Sequence, residues 1–348
     1  MIYSFLAIFG FILTSLRSNY FSIFIVSLIC ALLISGFDLP DNDAYFYMYD
    51  TIPKLSLDIL LGNDYIFNEV YGEVYYKYTM SFFKLIGLGY FSFRLIVIFI
   101  IVYVKLAFYK YFINDWRVFS LCVLVYLSLF FYVESYILRQ SLATSLLCVA
   151  FVCLYNRHNL AFSIIVVLSF FFHSTGILAL PLLLFVNKRF SKNFYLTLLV
   201  LIFAIGIIGV KSLLVQISHL IPSDYIFSKI IRYSDNEYGE SLGVFRLSVL
   251  IYTSFFVYAV YHYHNENRFF VLNVYIMALL FLVGFNDFGV IGDRIFRLFA
   301  FIIPLVMSSL IYSFSENYWK LNLVIVIVIF SILSFGFSMG YTFNYVGY

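Results

Sequence analysis

The chain has 348 residues, is 64% hydrophobic and only 11% charged, and its mean hydropathy is +0.99, whereas a soluble domain is nearer half apolar and a quarter charged. A net charge of +3, small and scattered, gives no case for nucleic acid as a partner. Together these exclude an ordinary soluble domain and predict an all-α polytopic integral membrane protein, read as a single membrane domain over residues 1–348.

A span needs roughly 20 apolar residues to cross about 30 Å of hydrocarbon. Residues 2–16 read as a short first span, not a cleavable leader: the run lacks a basic start and a small-residue cleavage site. Residues 20–37 make the second span. A long polar segment follows, with Asp38, Asp41, Asp43, Asp50, Asp58, Asp64, Glu69 and Glu73 interleaved with tyrosines such as Tyr45, Tyr47 and Tyr71. Val74–Leu88 is apolar but carries Lys77 and Lys84, so it is expected to lie at the interface as an amphipathic helix. Residues 38–91 thus form a first large outward-facing loop with that helix inside it.

Further spans are expected at about 92–111, 118–136, 141–155, 194–212, 244–263, 269–285, 296–313 and 321–340. The run 160–186 is too long for one helix, and His173-Ser174-Thr175-Gly176 breaks it. Arg157 and His158 precede it, and Lys188, Arg189 and Lys192 follow it. Basic short loops face the cytoplasm, so two short helices meeting near His173 are predicted. The total is about 12 membrane segments, in a range of 10–13, with both termini outside. The second outer loop is 213–243. Cys30, Cys122, Cys148 and Cys153 all sit in apolar runs without metal-ligand or disulfide spacing. The chain carries no internal repeat of the kind that marks many secondary transporters.

Charges in such surroundings are functional candidates. In Val133–Ala143, Glu134 and Arg139 are five residues apart, about 140° around a helix, so they need not pair with each other. Arg139 is either a structural or snorkelling cation, or a ligand for an anion. An arginine fork suits diphosphate, since it donates two parallel hydrogen bonds and stays charged. Asp293, Arg294 and Arg297 open the eleventh span. Two cations at a helix N-terminus oppose the dipole and ask for an anion, either Asp287 and Asp293 or a phosphate. His173 is either a satisfied core histidine or a general base. The acids at 38–43 are either a solvated loop, a cation site without the glycine of an EF-hand loop, or a carbohydrate surface with the tyrosines beside them. The loop Asp224–Arg246, with Arg232 among its tyrosines and acids, has the same character.

The order of these features carries a resemblance. Asp41-Asn42-Asp43-Ala44-Tyr45, then Ile137-Leu138-Arg139-Gln140-Ser141-Leu142-Ala143, then Phe171-Phe172-His173-Ser174, then Asp293-Arg294 with Arg297, resembles the EpsG-like and Wzy-type polysaccharide polymerases over nearly the whole chain. The chain reads Ile-Leu-Arg-Gln where that family commonly has Ile-Arg-Gln.

The resemblance implies a multi-pass protein of the bacterial inner membrane. It implies a glycosyltransferase that joins undecaprenyl-diphosphate-linked oligosaccharide repeat units into O-antigen, capsule or exopolysaccharide on the outer face. The diphosphate would be held by Arg139, Arg294 and Arg297. Proton transfer would fall to His173, Glu134 or Asp43. The glycan would meet Gln140, Asp41, Tyr45, Arg232 and Arg246. No metal or other cofactor is called for, because diphosphate leaves well. Membrane lipids and a polysaccharide chain-length regulator are the other expected partners. The competing expectations are a flippase for the same lipid-linked unit and an O-antigen ligase-like transferase. The early position of the largest loop and the missing repeat symmetry weigh against them. A membrane O-acyltransferase would want a histidine in an early span, and the first one here is His158.

Overall fold

The computed structural model describes residues 2–211, 216, 243–315 and 329. Among these residues the fold is all-helical, without a β-strand. The described residues gather into two compact units, Met1–Leu180 with Ile311–Tyr348, and Pro181–Leu310.

In the first unit, α1 (Ile2–Leu16) packs on α8 (Trp116–Leu129), and α2 (Tyr20–Ser35) packs on α7 (Tyr90–Phe112). The Asn19 side chain accepts from the Ser22 N–H while Ser22 Oγ accepts from the Asn19 N–H, a reciprocal cap that starts α2. After the single turn α9 (Phe131–Glu134), α10 (Leu138–Tyr155) packs on α7 and forms an antiparallel hairpin with α11 (Asn159–Phe172). Among the described residues, α7 and α10 are the two helices long and apolar enough to cross a membrane alone. Other apolar helices are shorter, so the expected twelve segments are not reproduced by length and composition.

The segment after α2 is a packed group of short helices: α3 (Asn42–Thr51), α4 (Leu57–Leu60), α5 (Tyr65–Glu69) and α6 (Val74–Leu85). Its charges explain the lysines in an apolar stretch. Lys84 Nζ donates to the carbonyls of Tyr49, Asp50 and Ile52 at 3.2, 2.5 and 2.8 Å, closing the C-terminal end of α3. Lys77 Nζ donates to the Phe67 carbonyl at 2.7 Å and lies over the Phe67 ring. Arg94, 1% exposed, does the same for α2, donating to the carbonyls of Ser35 and Phe37 and to Asn42 Oδ1. The outer face of α6 shows Val74, Phe82 and Leu85.

The expected break at His173 is present. His173 is extended (φ −158°, ψ 122°), ending α11, and a 3₁₀ helix Ser174–Leu184 follows.

The second unit holds α12 (Lys192–Ile208), α13 (Leu247–His262), α14 (Arg268–Leu279) with a π-helical extension Leu280–Gly284, α15 (Gly289–Ala300) and most of α16 (Ile303–Ser315). Buried Asn273 on α14 bonds the carbonyls of Phe185, Val186 and Lys188, and its Oδ1 accepts from Tyr195 at 2.7 Å. This asparagine thus ties together the carbonyls of the turn that follows the 3₁₀ helix. α15 and α16 meet at a 59° bend. The expected loop 213–243 lies, but for Gln216 and Gly243, outside the described residues.

Candidate functional site

Arg139 is in the first turn of α10, and no side chain caps that helix. A cation there opposes the helix dipole, so it needs an anion nearby. The loop helices supply it: Arg139 Nη1 donates to Glu73 Oε2 at 2.7 Å. The guanidinium also lies over two rings, 5.0 Å from the centroid of Tyr71 and 5.9 Å from that of Tyr45. Both groups of the ion pair are about one-fifth exposed, so the site is shielded yet reachable. Arg139 Nε is buried and has no hydrogen-bond partner among the described residues. Burial pushes the Tyr45 phenol above its ordinary range, and the Arg139 charge draws it part of the way back. Gly72 permits the loop's approach. Its φ of +134° suits only glycine, and a Cβ there would stand 2.8 Å from Met48 Cε and 3.6 Å from Arg139 Nη1.

Glu134 and Arg139 do not pair. Glu134 is 6% exposed, and its Oε1 is ion-paired with Lys105 from the C-terminal half of α7, which is fully buried. The Tyr126 hydroxyl donates to Glu134 Oε2 at 2.8 Å. The Ser141 hydroxyl donates to the Glu134 carbonyl at 2.9 Å, and the Tyr3 and Ser135 hydroxyls are 2.7 Å apart. Every bond in this set fixes the turn from which α10 presents Arg139 and Gln140. The expected catalytic use of Glu134 thus meets a carboxylate already engaged on both oxygens.

His173 Nδ1 is 2.6 Å from Thr175 Oγ1, and the side chain is half-buried. Its position relative to Arg139 follows from the α10–α11 hairpin. Ser169 Oγ donates to the Ala143 carbonyl at 3.1 Å. Arg139 and His173 each lie four residues, about one turn, from that contact. Because the helices are antiparallel, both lie toward the same end. Tyr75, in the first turn of α6, meets Phe171 at a tilt of 30° with centroids 4.7 Å apart and Phe172 edge-on at 5.9 Å. Arg139, Glu73, Tyr45, Tyr71, Tyr75 and His173 therefore gather at one end of the first unit.

The remaining expected residues divide. Gln140 is 3% exposed on α10. Asp41 and Asp43 flank Asn42 at the start of α3; Asp43 is exposed, and Asn42 is buried against Arg94 and Tyr90. An acid there also suits the dipole of α3. In the second unit, Arg297 Nε and Nη2 both contact Asp293 Oδ2 at 2.8 Å. Arg246, which precedes α13, feels the charges of Asp293 and Arg297, and its Nε is buried without a hydrogen-bond partner among the described residues. Arg294 is exposed. α15 begins at Gly289, so Arg297 falls in its last turn, where a cation is favourable, and not at a helix start. Arg232 lies outside the described residues.

Sequence reasoning missed Glu73, Tyr71 and Lys105 as site components. Glu73 was visible as one acid among eight, and Lys105 as a lone charge in an apolar span.

The EpsG family matches residues 18–348. The amylovoran biosynthesis protein AmsC of Erwinia amylovora is 29% identical over 178 residues, covering 48% of this chain and 46% of that protein. The chain thus aligns with about half the length of that relative. No solved structure matches.

Proposed function

The chain belongs to the EpsG family, and from that membership we propose that it is a membrane glycosyltransferase that polymerises undecaprenyl-diphosphate-linked repeat units into a surface polysaccharide. The observation that carries this reading is the Arg139 site: a shielded guanidinium ringed by tyrosines, held at the loop end of a helical hairpin that also bears His173. The similarity to an amylovoran biosynthesis protein supports the substrate class.

In the proposed reaction the bond between the anomeric carbon of the growing glycan and its diphosphate oxygen breaks. A hydroxyl oxygen of the incoming unit bonds to that carbon and loses its proton to a base. Negative charge develops on the departing diphosphate, and Arg139 meets it in place of Glu73. One such donor contributes about 3–4 kcal/mol to the transition state. With Nδ1 held at Thr175, His173 would take the acceptor proton at Nε2. Asp41, Tyr45 and Gln140 are proposed to lie toward the glycan. The proposed location is the outer face of the inner membrane, with a chain-length regulator as a partner.

The test is a gel of surface polysaccharide from cells lacking the protein, complemented with wild type, Arg139→Ala or His173→Ala at equal protein level. The expected result is loss of the long ladder while single repeat units remain displayed. Retention of the normal ladder by Arg139→Ala would sink the assignment of that residue. Accumulation of lipid-linked units inside the cell would make the protein a flippase.

A further inference from the structure

The first unit contains an apolar cavity of about 220 Å³ formed by α6, α7, α10 and α11. Its position on α10 is set by sequence spacing. Leu142, Leu146 and Val149 line it, three, seven and ten residues after Arg139. At 3.6 residues per turn Leu146 lies almost directly below Arg139, about 10 Å along the axis, with Leu142 and Val149 near the same stripe. Phe83 of α6 and Ile96 and Ile100 of α7 form the facing wall, and Phe172, the residue before His173, closes a side. Ile100 and Val149 are 40% and 43% exposed, so the cavity opens laterally from the helix bundle. Only Thr79 and Ser145 bring hydroxyls, which leaves no means of satisfying a sugar.

We propose that this cavity holds the polyprenyl chain of the lipid carrier next to its diphosphate, so that Arg139 takes the anionic head and the stripe Leu142–Leu146–Val149 takes the hydrocarbon. The inference rests on the polymerase reading and deepens it. It commits to an amphiphile because a cation with a buried, unpartnered Nε stands above a wall of aliphatic side chains. A cavity of about 220 Å³ has room for a short length of one branched chain, whereas a two-chain phospholipid would have to part its tails. Bilayer lipid is as apolar as leucine, so the cavity adds little affinity. Its effect is to hold the chain in register, which places the anomeric carbon relative to His173.

The experiment uses the purified full-length protein with Val149→Trp and Leu146→Trp, which fill the cavity, and Ile164→Trp, on the exposed face of α11 and outside the cavity lining. Each is assayed with a donor on the full undecaprenyl carrier and with one whose carrier is cut to a single five-carbon unit, too short to reach Leu146. The two cavity-filling variants should lower kcat/KM at least about 10-fold on the long carrier and less than about 2-fold on the short one, with Ile164→Trp near wild type on both. Equal losses on both carriers would overturn the proposal. A second readout needs no polymerisation: a diazirine-bearing polyprenyl diphosphate should cross-link to the peptide holding Leu142–Val149, and Val149→Trp should abolish the adduct. Displacement of the probe by phosphatidylglycerol as readily as by polyprenyl diphosphate would assign the cavity to ordinary bilayer lipid and overturn the proposal. If wild type joined no lipid-linked units, the polymerase reading would fall while the cross-link still judged the cavity.

Discussion

Arg139→Lys keeps the charge but loses the planar fork, so the polymer made per protein should fall at least about 10-fold, and Arg139→Ala about 100-fold or more. Glu73→Gln removes the carboxylate that holds the guanidinium, where the diphosphate is proposed to bind. The KM for the lipid-linked donor should fall several-fold in that variant, and an unchanged KM would show that the two anions do not share the site. At Lys105 the expected effect is on stability. Lys105→Ala strands Glu134 in the interior at a cost of about 3–5 kcal/mol, visible as a lower unfolding temperature in detergent, whereas Lys105→Met with Glu134→Gln should recover most of it. Arg139, His173 and Glu134 were legible as polar residues in apolar runs. Their partners were not: the pairs Arg139–Glu73 and Lys105–Glu134 join residues 66 and 29 apart, and only packing selects which of many acids and bases meet.

Helix ends and crossings carry the next set of expectations. Asp115 caps α8 through the Arg117 N–H at 2.8 Å, and its carboxylate also binds the Arg117 guanidinium. Burial pulls the Asp115 carboxyl upward, but Arg117 and the Tyr312 hydroxyl outweigh that and hold it below the usual carboxylate range. The folded value is therefore the lower one. Its contribution is full above the ordinary carboxylate pKa and is lost as pH falls through the folded value. The unfolding temperature of wild type should drop more steeply below about pH 4 than that of Asp115→Asn, which keeps the cap without the charge. At the crossing of α12 with the π-helical segment, a Cβ on Gly206 would collide with the Val283 carbonyl oxygen. Gly206→Ala should therefore cost about 1–3 kcal/mol in thermal unfolding. The π turn and the start of α15 at Gly289 were invisible in the sequence, because apolar periodicity does not distinguish an α from a π turn, and the helix begins before its apolar run. The break at His173 was legible, since four small or polar residues interrupt a long apolar stretch.

At the scale of the whole chain the proposed topology is the quantity to test. In a background lacking Cys30, Cys122, Cys148 and Cys153, a membrane-impermeant thiol reagent applied to intact cells should label Asp58→Cys, in the first large loop, and spare Arg157→Cys, between α10 and α11. The reverse pattern would invert the proposed orientation. The all-helical character followed from composition, whereas the number of crossings did not, because most helices fall short of a full span and reach their places by packing. The Lys105–Glu134 pair also bears on how the protein is made. α7 leaves the ribosome with its lysine unaccompanied, and a lone lysine near a helix centre costs about 2.5–3.5 kcal/mol during insertion. Glu134 emerges 29 residues later, so at 5–20 residues per second α7 waits for about 1.5–6 seconds, held in the bilayer by its own aliphatic surface, before its charge is neutralised. Biogenesis of this chain thus has a built-in order, in which the segment bearing the acid must arrive before the one bearing the base is secure.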